Sequence, residues 1–179
     1  MKKPFVIAID GASSTGKSTL AKGLAKALGF PHVDSGAMYR GVTLYVQQHG
    51  LIENKKVKTE TLLSQLDDIH LRFEGDTFWL NGVDVSAEIR SMQVSEAVSL
   101  VAAIPQVRTF LVAQQRIMGA SQSVVMDGRD IGTVVFPKAD IKLFLTADVN
   151  IRAQRRFDAV SYTHLRAHDK DRHLLCRLL

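Results

Sequence analysis

Cys176 is the only cysteine among 179 residues. An internal disulfide and a cysteine metal cluster are therefore excluded, and with them the zinc-ribbon class, and redox chemistry is not expected. A reducing compartment, the cytoplasm, is the expectation. No stretch approaches the roughly 18 uninterrupted apolar residues of a spanning helix. Met-Lys-Lys-Pro leads into a short apolar run broken at Asp10, too brief for a signal peptide. No internal repeat is present. His32, His49 and His70 are scattered without metal-ligand spacing, so no structural metal is expected.

Hydrophobic residues make up 46% of the chain and charged residues 23%, which indicates a globular chain with one principal core. The 23 Lys and Arg against 18 Asp and Glu give a net charge of +5 and favour anionic partners. Lys55-Lys56-Val57-Lys58, the most basic run, is short enough to be a solvated loop or helix start. Nucleic-acid binding would require strong affinity with a steep salt dependence, and it is not expected.

Phe5-Val6-Ile7-Ala8-Ile9-Asp10 is a continuous apolar run ended by a glycine loop, the pattern of a strand buried on both faces. From Lys17 to Leu28, Leu20, Ala21, Leu24, Ala25 and Leu28 recur at helical spacing, with Gly29 as the stop. Further strands are expected at 31–33, 123–127 and 141–145, alternating with helical pattern, and together they predict a parallel α/β sheet. The middle differs. Ile69–Phe73 and Thr77–Leu80 are joined by Glu74-Gly75-Asp76, and Asn81-Gly82 supplies another turn, so an antiparallel meander is predicted within an insertion over 44–103. Pro105 opens a predicted helix whose apolar stripe is Val107, Phe110, Leu111, Ile117 and Met118.

Between the first strand and the first helix lies Gly11-Ala12-Ser13-Ser14-Thr15-Gly16-Lys17-Ser18, a match to G-x-x-x-x-G-K-[ST] in the context that motif requires. Its glycines let successive amides turn towards a phosphate, and the helix start adds partial positive charge. Residues 11 to 19, through Thr19, are the expected nucleotide-binding segment. Lys17 is expected to bridge the β- and γ-phosphates and Ser18 to ligate Mg²⁺, with Asp127, at a strand end, behind it. ATP or GTP binding follows, but the same cradle serves kinases, GTPases, motors and plain binding modules. GTPases drop out because no Asn-Lys-x-Asp occurs; Asn54-Lys55-Lys56-Val57 lacks the aspartate.

Three further segments join the phosphate loop: Asp34-Ser35-Gly36-Ala37-Met38-Tyr39-Arg40, Val85-Ser86-Ala87-Glu88-Ile89-Arg90, and Asp127-Gly128-Arg129-Asp130-Ile131-Gly132-Thr133. As an ordered set they resemble the bacterial cytidylate kinase family over about residues 5 to 157. The resemblance implies a P-loop NTPase three-layer α/β core with a parallel sheet, formed by 1–43 and 104–157. It also implies an inserted α+β monophosphate-binding domain over 44–103. The implied activity is transfer of the γ-phosphoryl of ATP, with Mg²⁺, to CMP or dCMP in pyrimidine nucleotide metabolism, by a monomer.

Within that resemblance Arg40 and Arg129 would clamp the acceptor phosphate with bidentate forks, and Lys17, Arg40 and Arg129 would carry catalysis. Ser99, Arg108 and Asp130 would read the cytosine, with Asp130 and Ser99 accepting from its amino group and Arg108 donating to N3 and O2. Asp34 and Ser35 would either touch the acceptor or fix the loop that carries Arg40. Singly, each residue has a plainer reading, a surface ion pair or a helix cap. The alternatives at the level of the whole chain are a kinase for UMP or AMP and an ATP-binding module without turnover.

After Arg152-Ala153-Gln154-Arg155-Arg156-Phe157 the family's arginine-bearing lid and last strand are expected, yet 158–179 matches neither. That stretch holds three of the six histidines and reads as a foreign junction, a sequencing artefact or a truncation. Arg152, Arg155 and Arg156 would survive at the lid's entrance, and Arg166 and Arg172 have no motif to place them. A missing strand would leave a sheet edge and part of the core exposed.

Overall fold

A computed structural model of the chain describes residues 3–155, 157 and 158. The expectations for Arg156, Arg166, Arg172 and nearly all of 158–179 lie outside the described residues. In chain order the strands are β1 (Val6–Gly11), β2 (His32–Asp34), β3 (Ile52–Glu53), β4 (Lys56–Val57), β5 (Leu71–Glu74), β6 (Thr77–Leu80), β7 (Val83–Asp84), β8 (Val124–Gly128) and β9 (Ile141–Leu145). The helices are α1 (Lys17–Leu28), α2 (Ser35–Gln48), α3 (Thr59–Ser64), α4 (Met92–Ala102) and α5 (Pro105–Ser121).

β2, β8, β1 and β9 form one sheet in that order, every pairing parallel. β1 and β8 are buried along their whole length, which is why they read as unbroken apolar runs rather than alternating ones. Alternate residues of these strands face two different cores. Ile7, Ile9 and Val125 pack with Ala21 and Ala25 of α1, while Val6, Ala8, Val124 and Met126 join α2, α4 and α5. The result is a three-layer α/β arrangement with α1 on one side of the sheet.

The larger core runs without interruption from the sheet through Met38, Val42 and Val46 of α2 into Leu62, Ile69, Phe78 and Val94. α2 itself passes straight through residue 44 as a single helix. The antiparallel meander forms as β5-β6-β7, with Trp79 opposite Arg72 and Asp84. Its second turn places Asn81 and Gly82 at φ 49° and 81°, a geometry that Asn-Gly supplies at little cost. The basic run around Lys55 is a hairpin, β3-β4, turning through Asn54 and Lys55 at φ 50° and 57°.

The predicted stripe of α5 needs one correction. Ile117 is 67% exposed, and the buried positions are Val107, Leu111, Gln115 and Gly119, a strict four-residue ladder that excludes position 117. Gln115 takes the core place and donates to Met38 Sδ at 3.7 Å. Among the described residues β9 is an edge strand, with Phe144 73% exposed. No single helix among them is long and apolar enough to cross a membrane.

Candidate functional site

The loop after β1 turns through two left-handed residues, Ser14 at φ 63° and Gly16 at φ 93°. A side chain at Gly11 is excluded, since a Cβ there would sit 2.6 Å from Leu145 O. Thr15 Oγ1 donates back to Ala12 O at 3.0 Å and closes the loop on itself. Three successive carbonyls of this loop each accept from a cation: Ala12 O from Lys17 Nζ at 3.4 Å, Ser13 O from Arg152 Nε at 3.1 Å, and Ser14 O from Arg155 Nη1 at 3.3 Å. The two arginines stand on a helical segment over 149–155, capped by Asp148 through its bond from Asn150 N at 2.8 Å. An open cleft of about 770 Å³ lies beside the loop, walled by Ser14, Gly16, Thr19 and Gly23 on one side and Arg155 on the other.

Asp127 joins the loop to the acceptor-side motif. It ends β8 next to its last glycine, is 1% exposed, and has both carboxylate oxygens occupied. Oδ2 accepts from the Ser18 hydroxyl at 2.7 Å and Oδ1 pairs with His32 Nε2 at 2.7 Å. Its backbone oxygen accepts from Ser35 Oγ at 2.8 Å. Gly128 must be glycine for this, because a Cβ there would collide with Ser35 Oγ and Ile131.

Asp34 caps α2 by accepting from Ala37 N at 3.1 Å. Burial pushes its carboxyl above the ordinary value, and the Asp127 charge pushes it further, while the Ala37 amide, His32 and Lys17 pull it back. Of the two roles open to Asp34 and Ser35 in the sequence, anchoring the helix that carries Arg40 is the one their hydrogen bonds serve here. Arg40 Nη1 donates to Ile89 O at 3.1 Å and Ser95 Oγ at 2.8 Å, so α2 reaches into both the 3-10 turn Glu88–Arg90 and α4.

Arg108 and Asp130 meet as an ion pair at 2.7 Å. Tyr39 lies beside them: burial raises its hydroxyl's pKa, Arg108 lowers it and Asp130 raises it. Ser99 is exposed on α4, and among the described residues no hydrogen bond links its side chain to that pair. Arg129 is exposed beyond the end of β8 and likewise makes no side-chain hydrogen bond or ion pair there.

Two residues of the site escaped the sequence reading. Asp10, 7% exposed, accepts from Ile131 N at 2.6 Å and Gly132 N at 2.9 Å, fixing the π-helical turn Ile131–Val135 that follows Asp130. His32 was read as part of a short strand and as one of three scattered histidines without metal-ligand spacing. An aspartate closing a buried strand was a signal for the first; nothing local marks the second.

Comparison with known proteins identifies the family. The family model described as cytidylate kinase matches residues 7–175. A cytidylate kinase of Parabacteroides distasonis is 54% identical over 163 residues, covering 87% of this chain and 71% of that protein. Those of Bacteroides fragilis and Flavobacterium psychrophilum are 51% and 52% identical, covering 87% and 89% of this chain and 71% and 73% of theirs. The chain belongs to the cytidylate kinase family.

Proposed function

We propose that the chain transfers the γ-phosphoryl group of ATP to CMP and dCMP, giving ADP and the corresponding diphosphate. The observation that carries this reading is the double use of Asp127. The donor loop, through Ser18, and the acceptor-side motif, through Ser35, both end on that one residue. Two nucleotide-binding motifs are thereby held side by side at the end of β8, as in-line transfer between two phosphates demands.

In this reading residues 11 to 19 hold the triphosphate, and Lys17 neutralises charge on the transferring group. The nucleophile is an oxygen of the acceptor phosphate, already an anion. It bonds to the γ-phosphorus as the bond to the β–γ bridging oxygen breaks, so no general base is needed. The main obstacle is repulsion between anions, which Lys17, Arg40 and Arg129 offset. Residues 44–103 serve as the monophosphate-binding region and 1–43 with 104–157 as the core. The chain acts as a monomer in the cytoplasm on soluble nucleotides, without nucleic acid or membrane.

Mg²⁺ fits the donor set. Ser18 Oγ and Asp127 are oxygen donors of the kind a hard cation takes, and among the described residues no cluster of three His, Cys, Asp or Glu could hold a metal alone. The metal would therefore share Ser18 with nucleotide phosphate oxygens and water, with Asp127 behind the hydroxyl. It supplies charge neutralisation between the phosphates.

The Arg108–Asp130 pair is the base reader. Asp130 accepts from the cytosine amino group and Arg108 donates to N3 and O2, with Ser99 as a further acceptor. Uracil reverses donor and acceptor at two positions, and each mispairing costs about 1–3 kcal/mol. The test is diphosphate formation from CMP, dCMP, UMP and AMP at equal concentration with ATP and Mg²⁺. Turnover selective for CMP and dCMP is expected; preference for UMP or AMP overturns the base assignment, and ATP binding without transfer to any of the four overturns the kinase reading.

A further inference from the structure

We propose that His32 is a positioning residue for the donor site: by donating from Nε2 to Asp127 Oδ1 it fixes the carboxylate whose other oxygen holds the Ser18 hydroxyl. This rests on the reading that Ser18 faces Mg²⁺ and ATP.

A carboxylate on a short side chain turns easily about its last bond, because that torsion is broad and roughly two-fold. One hydrogen bond to Oδ2 leaves that rotation open. A second, to Oδ1, closes it. In this chain the second bond comes from His32 at 2.7 Å, and the backbone oxygen is the Asp127 acceptor that Ser35 uses. No other donor among the described residues reaches Oδ1. The carboxylate is 1% exposed and cannot recover the lost bond from bulk solvent.

The imidazole is itself held. β2 pairs with β8 in parallel, His32 opposite Val125 and Asp34 opposite Asp127, so the histidine stands two residues short of the carboxylate it serves and on the same face of the sheet. Its side chain is 13% exposed and borders Phe73 and Phe78 from the 44–103 region. An ionised carboxylate can only accept, which places the proton on Nε2. The strands do not need this bond for their pairing, because Val125 N donates to Pro31 O at 3.0 Å independently of it. The bond's consequence is the direction of Asp127 Oδ2, and through it the direction in which the Ser18 oxygen offers its lone pairs.

The experiment is ATP binding by calorimetry, with and without Mg²⁺, for the unsubstituted chain, His32→Leu and His32→Gln. Outer partners of metal ligands typically affect metal affinity by about 10- to 100-fold, so His32→Leu should lose about that much of the Mg²⁺-dependent gain in ATP affinity. Its ATP affinity without Mg²⁺ should stay within about twofold. His32→Gln, whose amide nitrogen donates at similar reach, should restore most of the gain. Imidazole ¹⁵N shifts should show Nε2 protonated, a readout that survives even if the leucine variant fails to fold. Equal Mg²⁺ dependence in all three proteins, a glutamine variant as impaired as the leucine one, no Mg²⁺ dependence in the unsubstituted chain, or a bare Nε2 overturns the proposal. No acceptor is present, so a chain that binds Mg²⁺ and ATP as described yet phosphorylates neither CMP nor dCMP refutes the function proposed above and leaves the role of His32 standing.

Discussion

Gly41 follows Arg40 on α2 and is the point where the meander sheet rests on that helix. A Cβ built there would lie 2.7 and 2.9 Å from two ring atoms of Phe78 and 3.1 Å from Leu71 Cδ2, against an ordinary carbon contact of about 3.5–4.0 Å. Gly41→Ala thus sets two effects against each other. Alanine in a helix interior gains about 1 kcal/mol over glycine. Overpacking a filled core costs typically 1–3 kcal/mol. The ring cannot simply swing aside, because Phe78 is 2% exposed and packs tilted against Phe73 with ring centroids 4.8 Å apart. Two contacts under 3.0 Å place the steric cost in the upper half of that range, about 2–3 kcal/mol, so the net loss is about 1–2 kcal/mol, equivalent to roughly 2–8 °C in Tm for a chain of this length.

Gly23→Ala in α1 is the matched control, since a Cβ there meets nothing within 4 Å. It should raise Tm by up to a few degrees, about 1 kcal/mol at most. Scanning calorimetry on both variants, and on Gly41→Ala combined with Phe78→Leu, reads the signs directly. The double variant should lose less than the sum of the single ones, because the leucine vacates the space the new methyl needs. A Gly41→Ala protein as stable as the unsubstituted chain, or additive losses in the double variant, would refute the steric argument. The functional consequence is local too. Arg40 takes Ile89 O and Ser95 Oγ from the same region, so kcat/KM for CMP should fall while ATP affinity holds.

Lys17→Met should cut kcat by about 10²–10³-fold or more, the usual loss for one charge-stabilising donor, with Tm little changed; a variant retaining most of its turnover contradicts the placement of Lys17. Arg108→Met or Asp130→Asn should lower the ratio of kcat/KM for CMP over UMP by about tenfold or more, and an unchanged ratio removes the pair from base reading. Asp34→Asn keeps the cap to Ala37 and removes the charge. Since burial raises the folded-state pKa of Asp34, its contribution to stability is greatest below the unfolded value of 3.8 and is lost as pH rises through the folded one. The variant's Tm advantage over the unsubstituted chain should therefore grow between about pH 4 and pH 7, and a difference that is flat in pH would sink the assignment.

Features set by neighbours in sequence were legible. The phosphate loop, the α1 boundaries and the Asn81-Gly82 turn all depend on local backbone demands. Ile117 was misplaced because apolar identity was weighed above position, whereas the four-residue ladder of α5 carries a glutamine, Gln115, into the core opposite Met38. The β3-β4 hairpin has two residues per strand, too few for any alternation to show. The partnership of His32 with Asp127 depends on β2 lying beside β8 rather than β1, and 95 residues separate the two. Arg152 and Arg155 reach the loop from 139 and 141 residues away, through a sheet order that places β9 against β1.

In the function proposed above, the donor-side cations and Arg108 start from different kinds of partner. On the donor side Lys17, Arg152 and Arg155 rest on neutral carbonyls, those of Ala12, Ser13 and Ser14. A bond from a cation to a phosphate oxygen is roughly twice as strong as one between neutral partners, and stronger than one to a carbonyl, so a triphosphate in the loop outcompetes all three resting contacts. Little is lost in the exchange. On the acceptor side Arg108 rests on a carboxylate, Asp130, at 2.7 Å, a partner that a neutral cytosine cannot displace. The pair must stay together and present its remaining oxygen and N–H groups jointly, which suits reading a base edge that offers both a donor and acceptors.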